Sequence, residues 1–138
     1  MGKLLYRWFG PKTFERGGSL YEKIGVRRFN RFLPFGQYTN LLVRSLLVSN
    51  FRVVSDPRSA KVWVLFTVVA EAFHMLAFAV FFAVMASDIL GGEYASAALN
   101  MLLNLVVNVY PAMAQRYNRI RLLRAFRLDL RDAGYWHI

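Results

Sequence analysis

The sequence contains no cysteine, so neither a disulfide framework nor a thiolate metal site holds this chain of 138 residues together. Histidine is almost as scarce: His74 and His137 stand far apart, and one histidine with Glu71 supplies too few ligands for a metal ion, so no metal site is expected. Acidic residues number 8 against 18 Lys and Arg, which leaves a formal net charge of +10. No internal repeat or low-complexity stretch is present, which argues against a solenoid or a flexible linker. A cleavable signal peptide is not expected, because Lys3, Arg7 and Lys12 interrupt the N-terminal stretch before any apolar core of sufficient length. The chain reads as one compact unit, a single domain at most.

What the sequence has in quantity is apolar surface and basic charge. It is 57% hydrophobic with a mean hydropathy of +0.31, high for a small soluble domain and ordinary for a protein with part of its mass in lipid. The charge is placed at the two ends. Residues 1–61 carry 12 Lys and Arg against Glu15, Glu22 and Asp56, and residues 116–138 carry 6 Arg against Asp129 and Asp132. Two apolar runs lie between, joined by a stretch holding Asp88 and Glu93. That distribution is the positive-inside pattern of a helical hairpin with both termini in the cytoplasm, at a bacterial-type inner (cytoplasmic) membrane crossed more than once. Nucleic acid is not an expected partner, since the basic residues flank apolar runs and no familiar binding motif accompanies them.

The expected fold class is therefore an all-α membrane protein, a two-helix transmembrane hairpin with interfacial amphipathic helices before and after it. Three regions follow: 1–61 basic and interfacial, 62–114 the hairpin, 115–138 a basic amphipathic C-terminal segment. Val62 to Ser87 gives about 39 Å of helix at ~1.5 Å per residue, and Tyr94 to Ala114 is also long enough to cross a hydrocarbon core of about 30 Å. Asp88 to Glu93, with Gly91-Gly92, is the expected turn, and Ser55-Asp56-Pro57 marks a helix start. Met1 to Thr13 mixes Leu4, Leu5, Trp8 and Phe9 with basic residues, as a helix lying in the headgroup layer does. Leu41 to Val54 has an apolar stripe broken by Arg44, Asn50 and Arg52 and suits an in-plane helix. Ser19 and Glu22 have the spacing of a capping box before a short helix. In the tail, Leu122, Leu123, Phe126 and Leu130 oppose Arg121, Arg124, Arg127 and Arg131, which predicts a basic amphipathic helix on the membrane surface.

Polar residues inside the apolar runs are costly, about 2.5 to 3.5 kcal/mol each for charged groups near a bilayer centre, so they face protein, a cavity or a partner. Glu71 and His74 are three apart on one helix face, a spacing that lets the carboxylate orient the imidazole. Asn100, Asn104 and Asn108 recur every four residues on the returning helix. An antiparallel hairpin places His74 level with the neighbourhood of Asn108, Glu71 with that of Tyr110, and Asn104 with Ala77. Two readings stand open for this set: a hydrogen-bonded seam fastening two helices, or a catalytic site. Arg27, Arg28 and Arg31, interleaved with Phe29 and Phe32, read either as an anchor for anionic membrane lipids or as a nucleotide or acyl-carrier phosphate site. Gly17-Gly18 reads as a turn or as a close backbone approach to a phosphate.

Three stretches together resemble the glycosyl-4,4'-diaponeurosporenoate acyltransferase family: FERGGSLYEKIGVRRFNRFLP (Phe14 to Pro34), the E-x-x-H of Glu71 to His74, and NVYPAMAQRYNRIRLLR (Asn108 to Arg124). The resemblance implies an integral membrane enzyme that esterifies a sugar hydroxyl of a glycosylated carotenoid with a fatty acyl group. On that implication His74, oriented by Glu71, is the general base; Asn104 or Asn108 donates to the oxyanion; and Arg116, Arg119 and Arg121 hold the phosphates of an acyl thioester carrier. No resident cofactor is implied, acyl-CoA being the acyl donor the chemistry admits. Two helices make a thin cage for both substrates, so a homo-oligomer or a larger membrane complex is expected. The alternative reading is a non-catalytic structural subunit of such a complex, anchored by its hairpin.

Overall fold

The structure, a computed structural model, describes residues 2–15, 17–31 and 54–129. The helix expected between Leu41 and Val54 falls outside the described residues except for Val54, as do Leu130, Arg131 and His137. Among the described residues every regular element is helical. In chain order they are α1 (Gly2–Phe9), a short turn of 3-10 helix (Thr13–Glu15), α2 (Ser19–Lys23), α3 (Val26–Phe29), α4 (Pro57–Leu90), α5 (Tyr94–Asn104), a π-helical turn (Leu105–Val109) and α6 (Tyr110–Ala125).

α4 begins where the sequence places it. Asp56 is extended and its carboxylate accepts from the backbone N–H groups of Arg58 and Ser59 at 2.8 and 2.9 Å, while Ser59 Oγ accepts from the Asp56 N–H at 3.2 Å. Pro57 takes the first turn, where its missing N–H costs nothing. The box expected at Ser19 and Glu22 does not form: Gly18 is the residue ahead of α2, no side chain caps it, and Glu22 instead accepts from Tyr117 Oη at 2.8 Å. Gly18 is the turn, with φ of 73°; a Cβ there would stand 3.3 Å from the Tyr117 ring, so the glycine lets the backbone lie on that ring.

α4 has 34 residues, about 51 Å, and α5, the π turn and α6 run on as one 32-residue rod of about 48 Å. Both are long and apolar enough to cross a membrane. The second rod does not pause at residue 114: α6 continues to Ala125 and buries Pro111, Ala114, Tyr117, Arg119, Ile120 and Leu123 inside the protein. The tail through Ala125 is thus an arm of the hairpin with one face packed, where a separate surface helix was expected. α1 likewise packs onto this end, with Tyr6 against Val64 and Leu123 and with the Phe9 ring 5.9 Å from Arg119 Cζ.

The two halves of the hairpin are built differently. Around residues 60–71 and 111–123 the interior has apolar clusters, Tyr21, Val26, Ala114, Tyr117 and Ile120 in one and Val64 with Leu123 in another, and buries Thr67, Glu71 and Arg119 beside them. Asn30 and Asn118 exchange amide hydrogen bonds at 2.7 and 3.0 Å and fix the end of α3 to α6. From Phe73 to Val107 large apolar side chains face outward, among them Phe73, Leu76, Val80, Leu99, Leu102 and Val107, and the buried residues are the small Ala97 and the polar Asn104. Asn104 Nδ2 donates to the Phe78 carbonyl at 3.1 Å, Asn108 Nδ2 to Asn104 Oδ1 at 2.9 Å, and Asn100 Nδ2 to Asp88 at 2.6 Å. An apolar exterior gives no reason for helices to separate from lipid, so the amides supply the interhelical attraction. Replacing Asn104 with Leu is expected to weaken the hairpin by about 0.6 to 1.7 kcal/mol, the range of such bonds in membrane helices, read as an earlier thermal transition in detergent. An unchanged transition removes the fastening role.

Candidate functional site

The junction between the two halves holds a cavity of about 350 Å³. Its surface is mostly apolar, with Leu20, Ile24, Met75, Phe78, Val109, Ala112 and Met113 among the lining residues, and Glu15, Tyr21, Glu71, His74, Asn108 and Arg116 contribute the polar groups. Residues from three separate stretches meet there. Glu71 and His74 come from α4, where their spacing of three turns both toward the second rod. Asn108 and Arg116 come from that rod, Asn108 from within the π turn, which adds a residue to the helical register. Glu15 and Tyr21 come from the short N-terminal elements.

Arg116 is the hub. Its Nε lies 3.0 Å from Glu15 Oε1, its Nη1 lies 3.0 Å from Glu71 Oε1, and its Nη2 donates to the backbone carbonyl of Trp8 at 3.0 Å. Glu71 is 3% exposed, and its second oxygen takes Arg119 Nη2. Glu15 is 5% exposed and also accepts from Tyr21 Oη at 2.5 Å and from the Lys12 N–H at 2.8 Å. Two carboxylates and two guanidinium groups thus form a neutral buried network, the condition under which such charges tolerate burial. Arg119 carries no exposed surface, and its Nε and Nη1 have no hydrogen-bond partner.

Burial pushes the Glu15 carboxyl upward, but the Tyr21 hydroxyl, the Lys12 N–H and the Arg116 guanidinium together outweigh it and hold the group below its ordinary value. Burial and the Glu15 carboxylate beside it raise the Tyr21 phenol. A carboxyl depressed on folding stabilises the folded state above its unfolded value, and that stabilisation is lost as pH falls through the lower, folded value. Thermal stability is therefore expected to fall on acidification below about pH 4.5 more steeply in the wild type than in Glu15→Gln. Parallel pH profiles of the two proteins overturn this assignment.

The sequence-derived pairing is altered in one respect. Glu71 and His74 share the cavity, but the Glu71 carboxylate is committed to Arg116 and Arg119, and His74 Nδ1 is buried without a hydrogen-bond partner. An arginine on the facing helix reaches a carboxylate with a charge-assisted bond, and in a low-dielectric interior that outcompetes a neutral imidazole on the same helix. Asn104 makes its bonds in the seam, while Asn108 lines the cavity. Arg121, Arg27 and Arg28 are exposed: Arg121 lies over the Tyr117 ring at 5.6 Å and Arg27 is 4.0 Å from Glu22. Glu15 and Tyr21 were not singled out from the sequence. Their signal was the separation of six with acceptor and donor in a segment that also carried the family resemblance, and it takes the fold to bring them to Arg116.

The model of the glycosyl-4,4'-diaponeurosporenoate acyltransferase family matches residues 6–128, the stretch that contains every side chain of this cavity. The chain belongs to that family. Comparison with curated proteins and with solved structures gave no match. For this family member the match lends no support to the alternative of a non-catalytic subunit.

Proposed function

We propose that the chain is a membrane acyltransferase that moves a fatty acyl group from an acyl thioester, such as acyl-CoA, to a sugar hydroxyl of a glycosylated carotenoid. Membership of the family supports the reaction class. The observation that carries the site is a histidine whose Nδ1 has no hydrogen-bond partner and a fixed arginine that line the same, mainly apolar cavity.

In this reading the imidazole of His74 accepts the proton of the sugar hydroxyl as its oxygen attacks the thioester carbonyl carbon. The carbon–oxygen bond forms while the carbonyl electron pair moves onto the carbonyl oxygen. That oxyanion is met by the remaining N–H of Arg116, whose other four donors Glu15, Glu71 and the Trp8 and Gly10 carbonyls hold in place, or by the second N–H of Asn108. When the carbonyl re-forms, the carbon–sulfur bond breaks and the thiolate takes the proton back from the imidazolium. Glu71 then acts through Arg116 and Arg119, as a positioning residue.

The helix lengths favour a site at the edge of the bilayer. Glu71 to Leu90 spans about 28 Å of α4, close to a hydrocarbon core of about 30 Å, with the basic ends of the chain on the cytoplasmic side. A soluble thioester then approaches from water, and the lipid-borne acceptor from the membrane. The test is incubation of the purified protein in detergent with labelled acyl-CoA and a carotenoid glycoside. Label recovered in the acylated glycoside supports the proposal, and its absence from that lipid rejects it.

A further inference from the structure

Arg116 and Arg119 cannot serve an acyl carrier's phosphates, because both are bound to carboxylates within the protein. A second basic surface lies on the other side of α2. There Arg27 approaches Glu22 at 4.0 Å, the same Glu22 oxygen accepts from Tyr117 at 2.8 Å, and Arg121 stands 5.6 Å over the Tyr117 ring, so Arg27 and Arg121 flank one tyrosine. One turn beyond Arg121, Arg124 Nη1 donates to the Gly17 carbonyl at 3.1 Å, at the loop that lies on the same ring. All three arginines are exposed, and the carboxylate that these contacts place among them is Glu22 alone.

We infer that Arg27, Arg121 and Arg124 form a phosphate-binding surface that receives the phosphorylated end of an acyl carrier of the coenzyme A type. The inference rests on the acyl-transfer reading above. Its support is the position of α2: Tyr21 and Ile24 line the reaction cavity, while Glu22, between them in sequence, faces the arginines. A single short helix is thus the wall between the two, about 10 Å across, and a carrier held by its phosphates on one side has its thioester arm close to the other. Three guanidinium groups held by a tyrosine face, a carboxylate and a backbone carbonyl are oriented donors for phosphate oxygens. An anionic lipid headgroup offers the same chemistry, but its position gains nothing from proximity to the cavity.

The experiment measures binding of coenzyme A, without an acyl group, to the full chain in phosphatidylcholine nanodiscs by calorimetry. Arg27→Gln/Arg121→Gln is compared with Arg7→Gln/Arg58→Gln, which removes the same charge from exposed positions elsewhere. The expected result is binding by the wild type, affinity about tenfold weaker in the first double variant, and no change in the second, with pantetheine failing to bind. Arg121→Gln alone, which leaves the Arg27 contact in place, gives the same direction if the double variant does not fold. Equal loss in both double variants, no binding by the wild type, or loss confined to phosphatidylglycerol vesicles overturns the assignment. Intact coenzyme A binding without turnover rejects the acyltransferase reading and leaves the phosphate surface standing.

Discussion

Glu71→Ala is expected to destabilise the protein by about 3 to 5 kcal/mol, the cost of leaving a buried guanidinium without its carboxylate. Arg119 has no exposed surface, and Glu71 is the partner in its one described ion pair, so nothing replaces the lost charge. Arg116 suffers less, because Glu15 and the Trp8 carbonyl still hold it. The measurement is thermal or chemical unfolding in a fixed detergent. The companion variant Glu71→Leu/Arg119→Met separates charge from shape: it removes both desolvated groups while keeping volume, and recovers most of the loss if the penalty is the orphaned charge. If Glu71→Ala unfolds with the wild type, the network does not hold the fold. If the double variant is as unstable as the single one, packing and not electrostatics is responsible.

The second large effect is catalytic. His74→Ala removes a side chain whose Nδ1 makes no hydrogen bond in the structure, so stability is expected to change little while turnover falls by about a hundredfold or more. His74→Gln fills the same space without a base of suitable strength and is expected to fall as far. Wild-type turnover in either variant removes His74 from the mechanism. These two substitutions, three residues apart on one helix, thus have opposite signatures. Loss at Glu71 appears in the unfolding curve, and loss at His74 appears in the rate.

The opposite signatures show where reading the sequence succeeded and where it stopped. The helical hairpin was legible because apolar runs of the needed length, a Gly-Gly turn and a capped start at Asp56 and Pro57 are local signals. The asparagine seam was legible too, since a period of four puts three amides on one face; Phe78, which Asn104 meets, is one residue from the position expected opposite it. The partner of Glu71 was not legible. Spacing along α4 favours His74, but the helix facing it carries two arginines whose long side chains reach a carboxylate from more than a turn away, and the π turn shifts their register.

The sequence by itself determined which parts of this chain are apolar enough to span a membrane and which side chains had to be sheltered from lipid, because hydropathy and helical period are properties of neighbours in the chain. The tertiary structure decided what shelters them. Glu15, Glu71, Arg116 and Arg119 come from three stretches of the chain, and no local pattern states that a carboxylate 101 residues before Arg116 completes its coordination. Ion pairing in a low-dielectric interior is strong enough to select partners at any sequence separation, and it is that selection which leaves His74, a residue of the cavity lining, without Glu71 as its partner.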